Sequence, residues 1–424
     1  LRRERVSSIW TKNGKERLEL KTKHITIINQ YIGSPYHGME YRHYYLAKHL
    51  IKRGYKVTLV SGSYSHLFSS PPNIEGRVGR ETIDDIEYIW IKVPGYRSSK
   101  SFGRVWNMLC FAFGLSLLKK EIPPSHIIVS SPSLFPVMTG YRLSRKFKTK
   151  FLFEIRDIWP LTLVELSGMR RTHPLIKFME YFERFGYRHA DKVVSLLPNA
   201  KSHFVAKGMA EEKFVYLPNG IETEMKKEAP LSDELRRKIP LKKFTVAYAG
   251  TLGIANNLDL LLDAAVLLKR REEIHFILLG NGGEKERLLS RAKREGLENV
   301  TFIDAVSKDQ VSSFLAEIDV AFISLLPEKI FRFGVSPNKV FEYMYAKKPV
   351  IWAIDAGNNP VDEAKCGLTL PSQSADGLKQ VILSMYSMRK ETLGQMGQNG
   401  YNFVIKYHAY SSLSDRLIHI IEGQ

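Results

Sequence analysis

From His24 onward the chain alternates short runs of β-branched and aliphatic residues with longer amphipathic stretches, and this alternation constrains its fold more than any other feature. Strand, crossover helix and strand, repeated in that order, build parallel sheets with helices on their faces. The first unit predicts a strand over 24–30, a loop carrying Gly33, Pro35 and Gly38, a helix over 39–53, and a strand over 56–61 after Gly54. Further strands are expected at 86–93, 126–130, 151–156, 192–196 and 214–217. A second series follows the charged, proline-bearing stretch 225–243, with strands at 244–249, 274–279, 300–303, 320–324 and 349–353 and helices such as 257–269 and 336–347.

A chain of 424 residues is too long for one ordinary core. The expected architecture is therefore α/β, with two doubly wound, Rossmann-like domains facing a central cleft. The boundaries read as a basic N-terminal extension over 1–23, a first domain over 24–222, a linker with a short helix over 223–243, a second domain over 244–395, and C-terminal helices over 396–424 packing back on the first domain.

Composition narrows the partners. Lys and Arg number 63 against 44 Asp and Glu, a formal net charge of +19, so polyanions are expected nearby. No aromatic and basic interleaving of a known nucleic-acid module is present, which argues against nucleic acid. The basic excess is conspicuous in residues 1–23 and 141–150. Cys110 and Cys366 form no metal-ligand spacing and suggest no disulfide framework. The longest apolar run, 105–118, is bracketed by Arg104, Lys119 and Lys120 and is shorter than the about 20 residues a membrane-spanning helix needs. With no secretory signal pattern at its start, the chain reads as cytoplasmic.

In doubly wound folds ligands bind beyond the carboxyl ends of the strands, so the loops there are where function is sought. The loop 33–42 enters a helix and places Gly38 where backbone amides could hold phosphate. It contains neither a GxGxxG nor a P-loop pattern, which lowers the dehydrogenase and NTPase readings. Two further glycine-bearing strand ends hold Gly250, Thr251, Leu252 and Gly253, and Gly280 with Asn281. A fourth stretch, 332–351, predicts a helix capped by Ser336 with Pro337 at its first position. Lys339 and Glu342 then share one face. Facing a diphosphate, Lys339, Arg332 and the helix N-terminus would meet phosphate oxygens, and Glu342 would accept hydrogen bonds from ribose hydroxyls. The alternative is a plain ion pair on a solvated helix.

These loops, in this order, resemble glycosyltransferase family 4, a retaining family of GT-B fold. The resemblance rests on 153–160 (FEIRDIWP), 217–222 (LPNGIE), 250–253, 280–282 and 336–344 (SPNKVFEYM), and on the first helix with Arg42. The RDIWP and SPNKVFEYM strings look most like the branch that builds bacterial O-antigen and capsule, including transferases of N-acetyl-L-fucosamine. The resemblance implies a nucleotide-sugar donor, expected to be a UDP-linked acetamido sugar, and a polyprenyl-diphosphate-linked glycan acceptor. It implies retention of configuration with no cofactor and no metal. Acceptor-side catalytic candidates in the first domain are Glu40, His66, Arg156 and Asp157.

Two departures matter. The first glutamate of the family's E-x7-E pair falls at Gly334, so Glu328 or backbone would have to take its contact with the donor sugar. The basic residues that relatives place after the first glycine loop of the second domain are replaced by 254–257 (IANN), which leaves phosphate charge to Lys339 and Arg332. Competing readings are a nucleotide-sugar 2-epimerase of the same fold and a non-catalytic membrane-surface protein. The apolar helix near residue 110 and the basic stretch 141–150 predict peripheral attachment to the inner, anionic face of the plasma membrane.

Overall fold

A computed structural model describes residues 23–96, 102–118, 122–224 and 229–423. The basic extension expected over 1–23 therefore lies outside the described residues except for Lys23, as do Lys119 and Lys120 and part of the expected linker. Two sheets organise the described residues. The first has eight strands in the order β3-β4-β2-β1-β5-β6-β7-β8, and the second six in the order β11-β10-β9-β12-β13-β14. Their ranges are β1 His24–Ile28, β2 Lys56–Gly62, β3 Val78–Ile83, β4 Ile86–Ile91, β5 His126–Ser130, β6 Phe151–Ile155, β7 Lys192–Ser195 and β8 Phe214–Tyr216. The second sheet comprises β9 Phe244–Ala249, β10 Ile274–Leu279, β11 Val300–Ile303, β12 Val320–Ser324, β13 Val350–Ala353 and β14 Gly367–Thr369.

Every strand pair is parallel except β3 with β4. Covering both faces of a parallel sheet turns its central strands into near-continuous apolar runs, and β6 and β10 are buried along their whole length. The exception was not foreseen. Asp84 and Asp85 both adopt positive φ, 49° and 63°, which closes a two-residue hairpin and adds β3 as an antiparallel edge. An Asp-Asp pair is a weaker hairpin signal than Asn-Gly, and β3 alternates too little to announce itself.

The chain crosses back between the halves at its end. The helix Lys390–His408 packs on Asn338–Tyr345 of the second half, and Tyr410–Glu422 packs on Arg42–Lys52 of the first. The return thus begins at Ala409, not at 396. Leu413 and Leu417 join Ile25, Ile27 and Leu59 in one core. Arg53 pairs with Asp415, and Tyr55 donates to Glu422 at 2.8 Å. Asn219 and Ile221, on the outward crossover, meet His408 and Tyr410 on the return. The two crossovers therefore run side by side.

Candidate active site

The second half of the site is built by packing backbone on backbone. Gly250 ends β9 with φ 151°, and a Cβ there would stand 2.0 Å from Cε of Lys339. Gly280 ends β10 with φ 142°, and its Cβ would stand 1.9 Å from the Gly250 carbonyl oxygen. The two loops are zipped by Leu252 N–H to Asn281 O (2.9 Å) and Glu284 N–H to Leu252 O (3.0 Å). Glycine is thus required at Gly250 and Gly280 to let two loops and a lysine meet. Leu252 is buried in the core, Thr251 is exposed and Gly253 half-buried. Of these, Gly250 lies against Lys339, and neither it nor Thr251, Leu252, Gly253, Gly280 or Asn281 lines either of the two cavities described below.

The helix Asn338–Tyr345 is held against β9 by Tyr343, whose hydroxyl donates to Ala249 O and accepts from Ala249 N–H, both at 3.0 Å. That anchor sets Lys339 and Glu342. They form no ion pair with each other, so the plain surface-pair reading does not hold. Lys339 lies 5.5 Å from the Tyr248 ring centre, and its closest polar partner, Asn256 Oδ1, is at 3.5 Å. Burial pushes the Lys339 ammonium below the usual lysine range, with Glu342 opposing. Burial likewise raises the Glu342 carboxyl, against Lys308 and Lys339. Two half-buried groups of opposite sign, each displaced toward neutrality, make this stretch a candidate ligand site.

Ser336 does not cap this helix. Pro337 precedes it in extended conformation without a side-chain cap, while Ser336 Oγ accepts from Asn219 N–H at 2.9 Å and its carbonyl from Asn219 Nδ2 at 2.8 Å. Ser336 therefore fastens the second half to the crossover. Arg332 is also committed elsewhere. Its guanidinium forks onto Glu165 at 2.7 and 2.8 Å, bridging the halves at an exposed rim, and stacks on Phe333. Its charge is thus met by Glu165 and is not free for the phosphates.

Among the described residues, two of the cavities open between the halves. The first, about 380 Å³, is bounded by Glu40, Tyr41 and Tyr45 on one side and by Lys308, Asn338 and Glu342 on the other. Lys308 lies 4.8 and 5.4 Å from the ring centres of Tyr41 and Tyr45. The second, about 310 Å³, is bounded by Arg156, Asp157 and Asn219 and by Phe331, Gly334 and Ser336. Glu40 in the first cavity and Arg156 in the second are an ion pair at 3.1 Å. Burial opposes ionisation of Glu40, but Arg156, His43 and the Arg42 amide outweigh it and hold the carboxyl at about 2. Asp157 opens onto the second cavity, and crowding by protein on its other sides raises its carboxyl despite Arg156.

Two expected groups are not brought to the cleft. Gly38 is buried in a turn, its N–H given to Ser34 O at 2.8 Å and its α-carbon against Ser69, so it offers no amide to phosphate. His66 bonds the Tyr96 hydroxyl at 2.8 Å and lines neither cavity, and burial with Arg104 lowers its imidazole. Conversely, sequence reasoning did not single out His43, Glu154, Lys308 or Asn219. Glu154 carried a usable signal: a carboxylate inside the otherwise apolar strand Phe151–Ile155 must be paired if that strand is buried.

Comparison with known proteins decides what this cleft belongs to. Residues 37–220 match the family profile described as a glycosyl transferase 4-like domain, and residues 232–403 match that of glycosyl transferases group 1. The chain belongs to glycosyltransferase family 4. Among similar proteins, the glycosyltransferase is 28% identical over 206 residues to WcaI of Escherichia coli K12, a glycosyl transferase assigned to colanic acid biosynthesis, covering 47% of this chain and 50% of WcaI. It is 29% identical over 150 residues to the O-antigen biosynthesis glycosyltransferase WclY of Escherichia coli, covering 34% of this chain and 39% of WclY. The chain thus matches half or less of the length of these curated relatives. In fold, Anabaena HepE, solved in complex with UDP-glucose, superposes with a TM-score of 0.63 at 14% identity, covering 95% of this chain and 100% of HepE. The expected GT-B architecture is what the glycosyltransferase has.

Proposed function

We propose that this glycosyltransferase moves an acetamido sugar from a UDP-sugar to a lipid-linked glycan acceptor during surface polysaccharide synthesis, with retention of configuration and without metal. The observation that carries the reading is the pair Lys339 and Glu342, half-buried, unpaired with each other and set beside the cleft. The names of WcaI and WclY support a polysaccharide product, and HepE, of the same fold, was solved in complex with UDP-glucose.

The chemistry follows from charge. Departure of a nucleoside diphosphate builds negative charge on phosphate, and preorganised donors aimed at it supply much of the stabilisation. Lys339 and the N-terminal amides of the helix Asn338–Tyr345 are those donors, and Glu342 takes the ribose hydroxyls. Arg156 and Asp157 border the acceptor side, and the leaving phosphate helps deprotonate the acceptor. The experiment is a panel of nucleotide sugars scored for turnover and for protection against thermal unfolding, repeated in excess chelator. A UDP-sugar is expected to stand out, with chelator leaving turnover undiminished; loss of turnover rescued by divalent ions would sink the metal-free mechanism.

We further propose peripheral attachment to the cytoplasmic face of an anionic membrane. No helix among the described residues is long and apolar enough to cross a bilayer. The helix Phe102–Leu117 divides its apolar residues: Met108, Phe111 and Leu115 are in the core, whereas Trp106, Phe113 and Leu117 are 54%, 67% and 56% exposed. Arg142, Arg145, Lys146, Lys148 and Lys150 are exposed on and after the neighbouring helix Val137–Phe147, and each basic residue near an anionic surface contributes about 1 kcal/mol. Sedimentation with vesicles should show binding that rises with anionic lipid, falls with salt and weakens in Phe113→Glu. Protein left in the supernatant with strongly anionic vesicles at low salt contradicts this.

A further inference from the structure

Beneath the cleft, two short stretches interlock: Glu40, Arg42 and His43 at the start of the first helix, and Glu154, Arg156 and Asp157 at the end of β6. His43 is central, its side chain 1% exposed. Its Nε2 is 2.8 Å from Glu154 Oε2, and its Nδ1 is 3.4 Å from Glu40 Oε2. That same Glu40 oxygen lies 3.1 Å from Nη1 of Arg156, which lines the second cavity beside Asp157. Glu154 is saturated from the other directions by Ser130 Oγ at 2.6 Å and by Arg42 Nε and Nη2 at 3.1 and 3.0 Å. Arg42 in turn donates to the carbonyls of Pro218 and Leu217 at the start of the crossover. One carboxylate oxygen therefore lies within ion-pair distance of both a buried imidazole and the guanidinium at the cavity wall, with hydrogen-bond geometry to neither.

We propose that His43 is a positioning residue of the transferase: bridging Glu154 and Glu40, it holds the Glu40 carboxylate where Arg156 meets it and so fixes the guanidinium that borders the acceptor side. An imidazole set between two carboxylates turns an N–H toward each only when both nitrogens carry a proton, as a hydrogen bond to Glu154 and a charge contact to Glu40. The carboxylates that face it agree with that state, Glu40 from the loop before the helix and Glu154 from β6; one shell further stand Arg42 and Arg156, whose positive charge opposes it, and the Tyr410 hydroxyl from the last helix. Burial disfavours the imidazolium, yet Glu154 and Glu40 outweigh burial and raise it above the ordinary histidine range. The proton is present below that raised value and lost above it. Its loss leaves one of the two carboxylates with a donor fewer, and the longer contact, to Glu40 at 3.4 Å against 2.8 Å to Glu154, is the one that gives.

This inference rests on the transferase reading, and its test separates the two. The full chain is assayed over pH with the UDP-sugar selected by the donor panel, as wild type and as His43→Gln. Wild-type kcat should fall on the alkaline side as the ring deprotonates. In His43→Gln kcat should be lower by about ten-fold or more, the cost of a misplaced group at the reacting centre, and the alkaline fall should be absent. KM for the donor should change by less than about three-fold, since Lys339 and Glu342 are untouched. If His43→Gln does not fold, Glu40→Asp, which keeps the charge but withdraws it from Arg156, should give the same split between kcat and KM. In parallel, NMR titration of the His43 ring needs no donor: it should titrate above the ordinary range in wild type and fall in Glu40→Gln. A panel without turnover counts against the transferase, while the ring titration still decides the link. A His43→Gln profile parallel to wild type, or a ring indifferent to Glu40→Gln, overturns the proposal.

Discussion

Lys339→Ala and Glu342→Ala each weaken UDP binding by about ten-fold to about a hundred-fold in calorimetric titration, because hydrogen bonds to charged groups are worth roughly 1.5–3 kcal/mol and 1.4 kcal/mol is a factor of ten. Both variants should fold, since neither side chain pairs with the other and the helix is anchored separately through Tyr343. The pH dependence carries a sign from each group. Lys339 sits below the ordinary lysine range, so its charge and the affinity it supplies are full at neutral pH and fade early on the alkaline side. Glu342 sits above the ordinary carboxylate range, so the ribose contact fades on the acid side before a free glutamate would protonate. Unchanged affinity in both folded variants contradicts the assignment of this helix to the donor.

Gly334→Ala lowers the midpoint of thermal unfolding by several degrees, and Gly334→Glu fails to improve donor binding. Gly334 has φ 101° and ψ 170°, a region essentially closed to residues with a Cβ, at a cost of about 1–3 kcal/mol. A Cβ there would stand 2.6 Å from Cδ of Pro198 in the first half and 3.0 Å from Asn358 Oδ1 in the second, so overpacking between the halves adds about 1–3 kcal/mol more. Relatives' first glutamate is thus excluded here by backbone conformation as well as by sequence. Glu328, a candidate stand-in, does not line the second cavity, and the carboxylate that does is Asp157. A Gly334→Ala variant as stable as wild type would show that the segment adjusts at no cost.

The parallel sheets were legible because their strands are short apolar runs bounded by glycine and proline, and the expected strands fall within a few residues of those observed. The glycines at 250 and 280 were legible as strand-end loops, but the sequence could not reveal that Gly280 packs against the backbone of the loop at Gly250. Lys339 and Glu342 could be placed on one helical face from spacing alone. The helix start could not be placed as reliably, because Ser-Pro reads equally as a cap and as an extended segment, and Asn219, 117 residues away, recruits Ser336. Arg332 was misassigned for a similar reason: its partner, Glu165, is contributed by the other half. The charge network under the cleft joins residues more than a hundred positions apart, as in His43 with Glu154. Local pattern carries no information about such pairs, beyond the warning that a carboxylate inside an apolar strand must find a partner.

The most direct test of the account is release of UDP from the selected UDP-sugar with and without a polyprenyl-diphosphate-linked glycan acceptor. The account predicts that acceptor accelerates release and that the sugar appears on the lipid-linked product with its anomeric configuration retained. Acceptor-independent conversion of the donor to its 2-epimer would identify an epimerase on the same fold, and an absence of any nucleotide-sugar chemistry would contradict the transferase reading outright.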